Sequence, residues 1–411
     1  MVSIEEAQSI ILQATERLPL VEVPLLHGLG CVIGTAVRAP FDIPLVDNSA
    51  MDGYAFSSEA LQGDRLKVAG VVTAGHSLTT PVPPGSAVRI MTGSPLPRGC
   101  DTVIPIEDVR EEGDGIRLAG PARAGVNIRH RGEDVWSGEE VVPEGALIRP
   151  QEIAMLASLG MRTLPVYKKA TASILATGDE LLPLGEKPVP GRTANSNSAA
   201  LAAQVLEAGG EPIMLGIAPD DLESTKRCIL DGMKGVDLLI TTGGVSVGDK
   251  DYVKEAIEKL GGKILFWKVN MKPGKPVAFA ILEGKPVFAL PGNPVAVMVA
   301  FEQFVRPALL KMMGRRRIFR PVIKAKATTV FRNSGARPHL VRAVVTIDRS
   351  GVHVVSGIGN QSPGNILSLV ESNALLRIAP ETVVAAGEAA EVMLLDRGFE
   401  MGRHTAPAAA D

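Results

Sequence analysis

Three short segments combine glycine, hydroxyl and carboxylate residues in the way an anion site requires: Thr177-Gly178-Asp179-Glu180, Thr241-Thr242-Gly243-Gly244-Val245-Ser246-Val247-Gly248 and Pro291-Gly292-Asn293-Pro294. Glycine permits positive φ and close backbone approach, and N–H groups at strand-to-helix turns meet negative charge. Thr177, Gly178, Gly243, Gly244, Ser246, Gly248, Pro291, Gly292 and Asn293 are therefore candidate binding residues, with Asn293 also placed to cap a helix that starts at Pro294. Singly, each segment is an ordinary turn; three at one sheet edge are harder to dismiss. Carboxylates lie among them: Glu180, Asp220-Asp221, Asp249 and Asp251. Acidic residues at helix starts commonly act as caps, and a hard cation held with phosphates draws on the same carboxylates, so both roles stay open for Asp220, Asp221 and Asp249. Neither Gly-x-x-x-x-Gly-Lys-Ser/Thr nor Gly-x-Gly-x-x-Gly occurs, so neither a P-loop nor a Rossmann dinucleotide site is indicated.

Positive charge is concentrated nearby. Lys268, Lys272 and Lys275 fall within Trp267–Pro276, a local cationic patch whose ordinary alternative is a set of solvated loop lysines. A second polar group surrounds glycines earlier in the chain, in Asp47–Ala55, Met91–Pro97 and Asn127–Asp134. Loops on a rigid scaffold carry function disproportionately, so this is a second candidate surface. His130, beside arginines, reads as a surface residue, and the six histidines show no paired metal-ligand spacing.

The elements that must position these residues follow from periodicity. Apolar positions at Ile4, Ala7, Ile10, Ile11, Ala14 and Leu18, opened by Ser3 with Glu6 three residues later, predict an amphipathic helix over 3–18. From 19 to about 150 short β-branched runs such as Leu66–Val72, Ala87–Met91 and Thr102–Ile106 predict mostly strands with no room for βαβ crossovers. From 170 to 314 strands alternate with helices: Ala172–Ala176 then Ser198–Ala208, Ile213–Ile217 then Leu222–Lys234, Asp237–Thr241 then Tyr252–Leu260. Strands Val277–Leu282 and Val287–Leu290 then lead to a long helix from Pro294. This predicts a mainly parallel sheet covered on both faces. Short strands from Val322 to Leu395 predict a small barrel.

The 411 residues suit two to three domains at about 150 residues each. Lys+Arg 43 against Asp+Glu 45 leaves a net charge of -2, which removes the drive for nonspecific nucleic-acid or anionic-membrane binding. Any polyanion site must be local. The 43 glycines and 30 prolines exceed the usual share yet fall short of low complexity, and those in Met51–Gly53, Gly243–Gly248, Lys272–Pro276 and Pro291–Pro294 are expected where backbone approaches a ligand. Cys31, Cys100 and Cys228 form no CxxC and are expected as buried thiols in a reducing compartment. With an acidic amino end and no apolar run of about 18 residues, the protein is expected in the cytoplasm.

Taken together, Asn48–Ala55, Met91-Thr92-Gly93, Arg131-Gly132-Glu133-Asp134, Thr177–Leu181, Gly243–Asp249 and Lys272-Pro273-Gly274-Lys275-Pro276 closely resemble the signatures of the MoeA/gephyrin E-domain family, in order and over about residues 3–396. The resemblance implies a multidomain α/β plus β fold. Its parts would be an N-terminal helix (1–18) packing on the α/β domain, an extended segment (19–38 and 139–168), a β-rich lobe (39–138), a three-layer molybdopterin-binding α/β domain (169–316), a C-terminal β-barrel (317–398) and a disordered tail (399–411). It further implies a molybdopterin molybdenumtransferase that inserts molybdate into adenylated molybdopterin with a divalent cation, Mg²⁺, releasing AMP. The cleft would lie between the α/β domain of one chain and the lobe of the other in a homodimer, with the molybdopterin adenylyltransferase as a candidate partner.

Carried over by position, Glu180, Asp220 and Asp251 match the family's cation and phosphate carboxylates, Lys268 and Lys272 its basic pair, and Asp52, Thr92, Arg129 and Asp134 its lobe residues. Lys275 joins the substrate-binding set. Molybdate or tungstate both satisfy these residue types. In the loop Gly359–Asn365 a proline, Pro363, stands roughly where many relatives have serine, which leaves Ser362 without an assigned role. Two other readings remain: a molybdopterin-binding scaffold, and a nucleotide-processing enzyme of the CinA type, for which the lobe with Asp52 and Asp134 would be superfluous.

Overall fold

The computed structural model describes all residues except 74, 77, 79, 188, 246–251 and 397–411. The chain forms two compact units, one from Met1–Val23, His27–Gly34 and the chain from Leu164 onward, the other from Pro24–Leu26 and Thr35–Thr163. In the first, helix α1 (Ile4–Ala14) opens with a capping box in which the Glu6 N–H donates to Ser3 Oγ at 3.1 Å and the Ser3 N–H to Glu6 Oε2 at 2.7 Å. Ile4, Ala7 and Ile11 are buried. The helix stops at Ala14 and not at Leu18 because Thr15 turns to extended backbone and its hydroxyl bonds back to Ile11 O at 2.7 Å, while Leu18 still packs on the core.

The second unit is a β lobe. Its strands include β1 (Asn48–Ser49), β2 (Gly53–Phe56), β3 (Arg65–Val72), β4 (Ser86–Ile90), β5 (Thr102–Pro105), β6 (Val109–Glu112), β7 (Gly115–Leu118) and β8 (Ile128–Arg129). Six make one sheet in the order β5-β2-β4-β3-β7-β6, and β1 pairs with β8 antiparallel. β3 and β4 are parallel, joined with no helix among the described residues. Gly53 is required by the sheet and not by a ligand, since a Cβ there would stand 2.0 Å from Ile104 O. Helix α2 (Pro150–Ser158) falls in a stretch that reads as extended; Pro150 sits in its first turn and Glu152 accepts the Arg149 N–H at 2.9 Å.

The α/β part of the first unit contains β9 (Thr171–Thr177), α3 (Ser196–Glu207), β10 (Glu211–Ala218), α4 (Leu222–Gly232), β11 (Leu238–Thr242), α5 (Tyr252–Lys259), β12 (Lys263–Trp267), β13 (Ala278–Leu282) and β14 (Lys285–Leu290). Helix α6 (Pro294–Ala300) then runs through a π turn at Phe301–Val305 into α7 (Arg306–Met312). The sheet order is β10-β9-β11-β14-β13-β12, parallel through β14, with β13 antiparallel to both its neighbours. Period-two alternation builds three layers. Ile174, Ile240 and Phe288 enter the core on one face, while Leu175, Leu239 and Val287 enter the core on the other. The edge strand β12 was not expected from periodicity.

A closed barrel follows, ordered β15-β17-β16-β18-β19, from β15 (Val322–Ala327), β16 (His339–Ile347), β17 (His353–Gly357), β18 (Ala374–Ile378) and β19 (Ala389–Leu394), with helix α8 (Leu367–Val370) between β17 and β18. Of the cysteines only Cys31 is fully buried; Cys100 and Cys228 are half-buried, and all three are unpaired. No helix among the described residues is long and apolar enough to cross a membrane.

Candidate active site

The carboxyl ends of β9, β11 and β14 converge on a cavity of about 410 Å³. Glycine geometry makes the convergence possible. Gly243 has φ +91° and a Cβ there would lie 2.5 Å from Thr177 O; at Gly244, φ +63°, it would lie 2.8 Å from Thr177 Oγ1. Only glycine lets the β11 turn pass so close to β9. Hydrogen bonds tie the three turns together. Thr242 Oγ1 donates to Pro291 O at 3.0 Å, and Asn197 Nδ2, in the first turn of α3, donates to Thr242 Oγ1 at 3.0 Å and to Gly292 O at 2.7 Å.

Thr177, Gly178, Glu180, Asp220, Gly243, Gly244, Pro291, Gly292 and Asn293 all line this cavity. Ser246, Gly248, Asp249 and Asp251 lie outside the described residues. Asn293 stands before α6, but its side chain makes no capping bond and lines the cavity instead. One N–H of that helix start is already taken, by Pro363 O, which accepts from Val295 at 3.1 Å. The loop containing Ser362 therefore packs against the head of α6. Thr177 Oγ1 is buried with no partner among the described residues. Asn197 was missed; its only sequence signal is the polar run Asn195-Ser196-Asn197-Ser198 at a helix start.

The carboxylates separate by role. Asp221 caps α4, accepting the Ser224 N–H at 2.7 Å, and that bond lowers its pKa. Asp220 lines the cavity, accepting the Asp179 N–H at 3.2 Å while its own N–H donates to Asp179 Oδ1 at 3.1 Å. Glu180 folds over Gly178, where a Cβ would meet its Oε2 at 2.6 Å. No group of three metal-capable side chains occurs among the described residues. Glu180 and Asp220, both lining the cavity, are of the donor type that Mg²⁺ uses when it binds through one or two carboxylates together with substrate phosphates and waters.

The lysines do not line the cavity. Lys268 Nζ lies 3.8 Å from the centre of the Trp267 ring, and Trp267 Nε1 donates to Val245 O, on the cavity wall, at 3.4 Å. Lys272 is exposed in a turn pinned to the barrel: its N–H donates to Pro338 O at 2.9 Å and its carbonyl accepts from the Leu340 N–H at 2.7 Å. Its backbone pairs with the strand that carries two groups that sequence reasoning missed, Arg342 and His339. Arg342 is fully buried, with Nε on Ser368 Oγ at 3.0 Å and Nη2 on Ser362 O at 3.1 Å, and with Nη1 unpartnered among the described residues. Burial, reinforced by the charges of Lys272, Arg342 and Arg337, pushes the His339 imidazole down to about 4. Lys275 is exposed.

Two linked clusters form in the lobe. Asp52 Oδ1 accepts the Thr92 N–H at 2.7 Å and its hydroxyl at 2.8 Å, and these bonds hold the carboxyl below the usual range. Arg129 pairs with Asp134 and, at 3.2 Å, with Glu133. The β1–β8 pairing sets Arg129 opposite Asn48, and Ser49 O accepts the Gly93 N–H at 2.8 Å, so the predicted Asp52, Thr92, Arg129 and Asp134 occupy neighbouring loops. His130, exposed beside Asp47 at 3.4 Å, is a surface residue as expected.

An open α/β sheet with a glycine-rich cavity at its carboxyl edge, joined in one chain to a β lobe and a closed barrel, defines a multidomain α/β plus β protein. Residues 2–160 match the MoeA N-terminal region (domain I and II), 173–311 the probable molybdopterin binding domain, and 324–395 the MoeA C-terminal region (domain IV). The chain belongs to the MoeA family. It is 33% identical to a Nostoc sp. protein named molybdopterin molybdenumtransferase, covering 96% of this chain and 94% of that one. It is 35% identical to the Haemophilus influenzae protein of the same name, over 94% and 97%. A crystal structure of the molybdopterin biosynthesis MoeA protein from Pyrococcus horikoshii superposes with a TM-score of 0.79 at 31% identity, over 96% of this chain and 100% of that one.

Proposed function

We propose that this protein is a molybdopterin molybdenumtransferase acting in molybdenum cofactor biosynthesis, inserting molybdate into adenylated molybdopterin with release of AMP. The observation that carries the reading is the cavity at the ends of β9, β11 and β14, lined by Thr177, by Asn293 without a capping bond, by close-packed glycines and by two carboxylates. Thr177, Asn293 and the Gly243-Gly244 backbone bind and orient the phosphate-bearing substrate. Glu180 and Asp220, with Asp251, would hold Mg²⁺, which when bound neutralises phosphate charge as the phosphoanhydride breaks. Cleaving such a bond is chiefly positioning and charge compensation, and these residue types supply both. Lys272 and the buried Arg342 give a tetrahedral oxyanion fixed positive charge beside the turn.

The lobe cluster of Asp52, Thr92, Arg129 and Asp134 completes the site of a partner protomer in a homodimer, which explains why one chain carries two polar clusters. The adenylyltransferase that makes the substrate is the natural partner for handover, and the three unpaired cysteines agree with a cytoplasmic setting. Purified protein given adenylated molybdopterin, Mg²⁺ and molybdate should release AMP and yield a molybdenum-loaded pterin. Asp52→Ala or Lys272→Ala should abolish this while leaving the melting temperature in place. Full activity in both variants would discard the site assignment, and AMP release without molybdenum uptake would favour the nucleotide-processing reading.

A further inference from the structure

Glu180 lines the cavity, yet the residue is exposed and its carboxylate has no hydrogen-bond or ion-pair partner among the described residues. A glutamate has several rotatable bonds, so where an unanchored carboxylate lies depends on how its backbone is held. The hold comes from the segment leading into α3. Arg192 Nη2 donates to Asp179 O at 3.1 Å and to Leu181 O at 2.9 Å, the carbonyls on either side of Glu180. Between them the Thr193 N–H donates to Glu180 O at 2.9 Å, and the Asn195 N–H continues the series on Leu182 O at 2.9 Å. Every carbonyl from Asp179 to Leu182 is thus taken, and Arg192 is the one side-chain donor among these bonds. The same turn is tied to the other carboxylate of the cavity. The Asp179 N–H donates to Asp220 Oδ2 at 3.2 Å, and the Asp220 N–H to Asp179 Oδ1 at 3.1 Å.

We propose that Arg192 is a positioning residue for Glu180: by bridging the carbonyls that flank it, the guanidinium sets Glu180 and, through Asp179, Asp220 at the spacing a divalent cation needs. Arg192 does not line the cavity, so it acts through the backbone it holds. The chemistry of the side chain suits the task. One guanidinium nitrogen carries two hydrogens, one for each carbonyl, and its fixed charge strengthens both bonds. Mg²⁺ demands near-ideal geometry of its ligands, so a carboxylate held in place by its turn binds it better than one that wanders. The inference rests on the reading that Glu180 helps to hold a divalent cation.

Mn²⁺ serves as a paramagnetic probe of the cation site, titrated into the full-length protein at a fixed AMP concentration with free Mn²⁺ read by electron paramagnetic resonance. Arg192→Met, which keeps much of the aliphatic stem and removes the donors, and Arg192→Ala should each weaken Mn²⁺ binding about tenfold, the low end for losing a group that supports a metal ligand. The Mg²⁺ concentration that half-saturates AMP release should rise by the same factor, while kcat at saturating Mg²⁺ changes less. In Glu180→Gln, itself weaker for Mn²⁺, adding Arg192→Met should cost nothing further, whereas a merely structural contribution would add in full. Circular dichroism and the melting temperature verify that each variant is folded. Unchanged Mn²⁺ affinity in Arg192→Met and Arg192→Ala, or an equal loss with and without the Glu180 carboxylate, would overturn the positioning role and leave the cation reading standing. No saturable Mn²⁺ binding to the wild type, or a Glu180→Gln variant that binds Mn²⁺ as well as the wild type, would overturn the cation reading and the proposal together.

Discussion

Asp52 and Thr92 show how the lobe prepares a charge. Two bonds from one threonine, the backbone N–H at 2.7 Å and the hydroxyl at 2.8 Å, stabilise the ionised carboxyl of an exposed aspartate and lower its pKa. A depressed pKa means that Asp52 stays ionised as pH falls below the point where an ordinary aspartate would protonate. If its ionised form is needed for turnover, removing the hydroxyl bond raises the pKa and moves the acid limb of the kcat/KM profile to higher pH. Thr92→Val should show that shift and Thr92→Ser should not. An acid limb unchanged in Thr92→Val would separate Asp52 from the reaction. At the same scale, the candidate residues were legible where glycine and hydroxyl types cluster, as at Thr177 and Gly243. Asn197 was not legible, because its role comes from bonds to Thr242 and Gly292, residues remote in sequence.

Strands and helices of the α/β part were legible because each carries its own period. β11 is buried throughout, and α4 shows its cap and apolar stripe within one segment. What escaped depends on contacts beyond the segment. The edge strand β12 exists by pairing with β13, and α2 lies within the stretch 139–168 expected as an extended segment. The crossover between the parallel strands β3 and β4 has no helix among the described residues to announce it. Strand β16 shows what such tertiary placement does to chemistry. It carries His339, buried and neutral, against the Lys272 turn, with a pKa lowered to about 4. The unfolded chain, with a histidine near its ordinary value, binds more protons between that value and about 4, so stability is fully present above about 6.5 and is lost as pH falls toward 4. Between pH 7 and pH 5 the loss from this group is on the order of 1–2 kcal/mol. The difference in denaturant-unfolding free energy between those pH values should shrink by about that amount in His339→Asn; an unchanged difference would contradict the neutral, buried histidine.

At the scale of the whole molecule, the composition, neutral overall and rich in glycine and proline, acquires a location. Positive charge from Lys272, Arg337 and Arg342 surrounds His339, and Gly243 and Gly244 are fixed by the close approach of the β11 turn to Thr177. Others, such as Gly53, only let strands pack. One compact unit carries the cavity at the ends of β9, β11 and β14, and the other carries the Asp52 and Arg129 clusters. The central claim is that these two halves, taken from different protomers, make one transferase site. Mixing an inactive Asp134→Ala chain with an inactive Glu180→Ala chain, with exchange into heterodimers verified by two affinity tags, tests it through the rate of molybdate-dependent AMP release. The account predicts that each heterodimer regains one intact site, with about half the wild-type activity per heterodimer, because both lesions then fall in the other cleft. Heterodimers as inactive as either parent would contradict it.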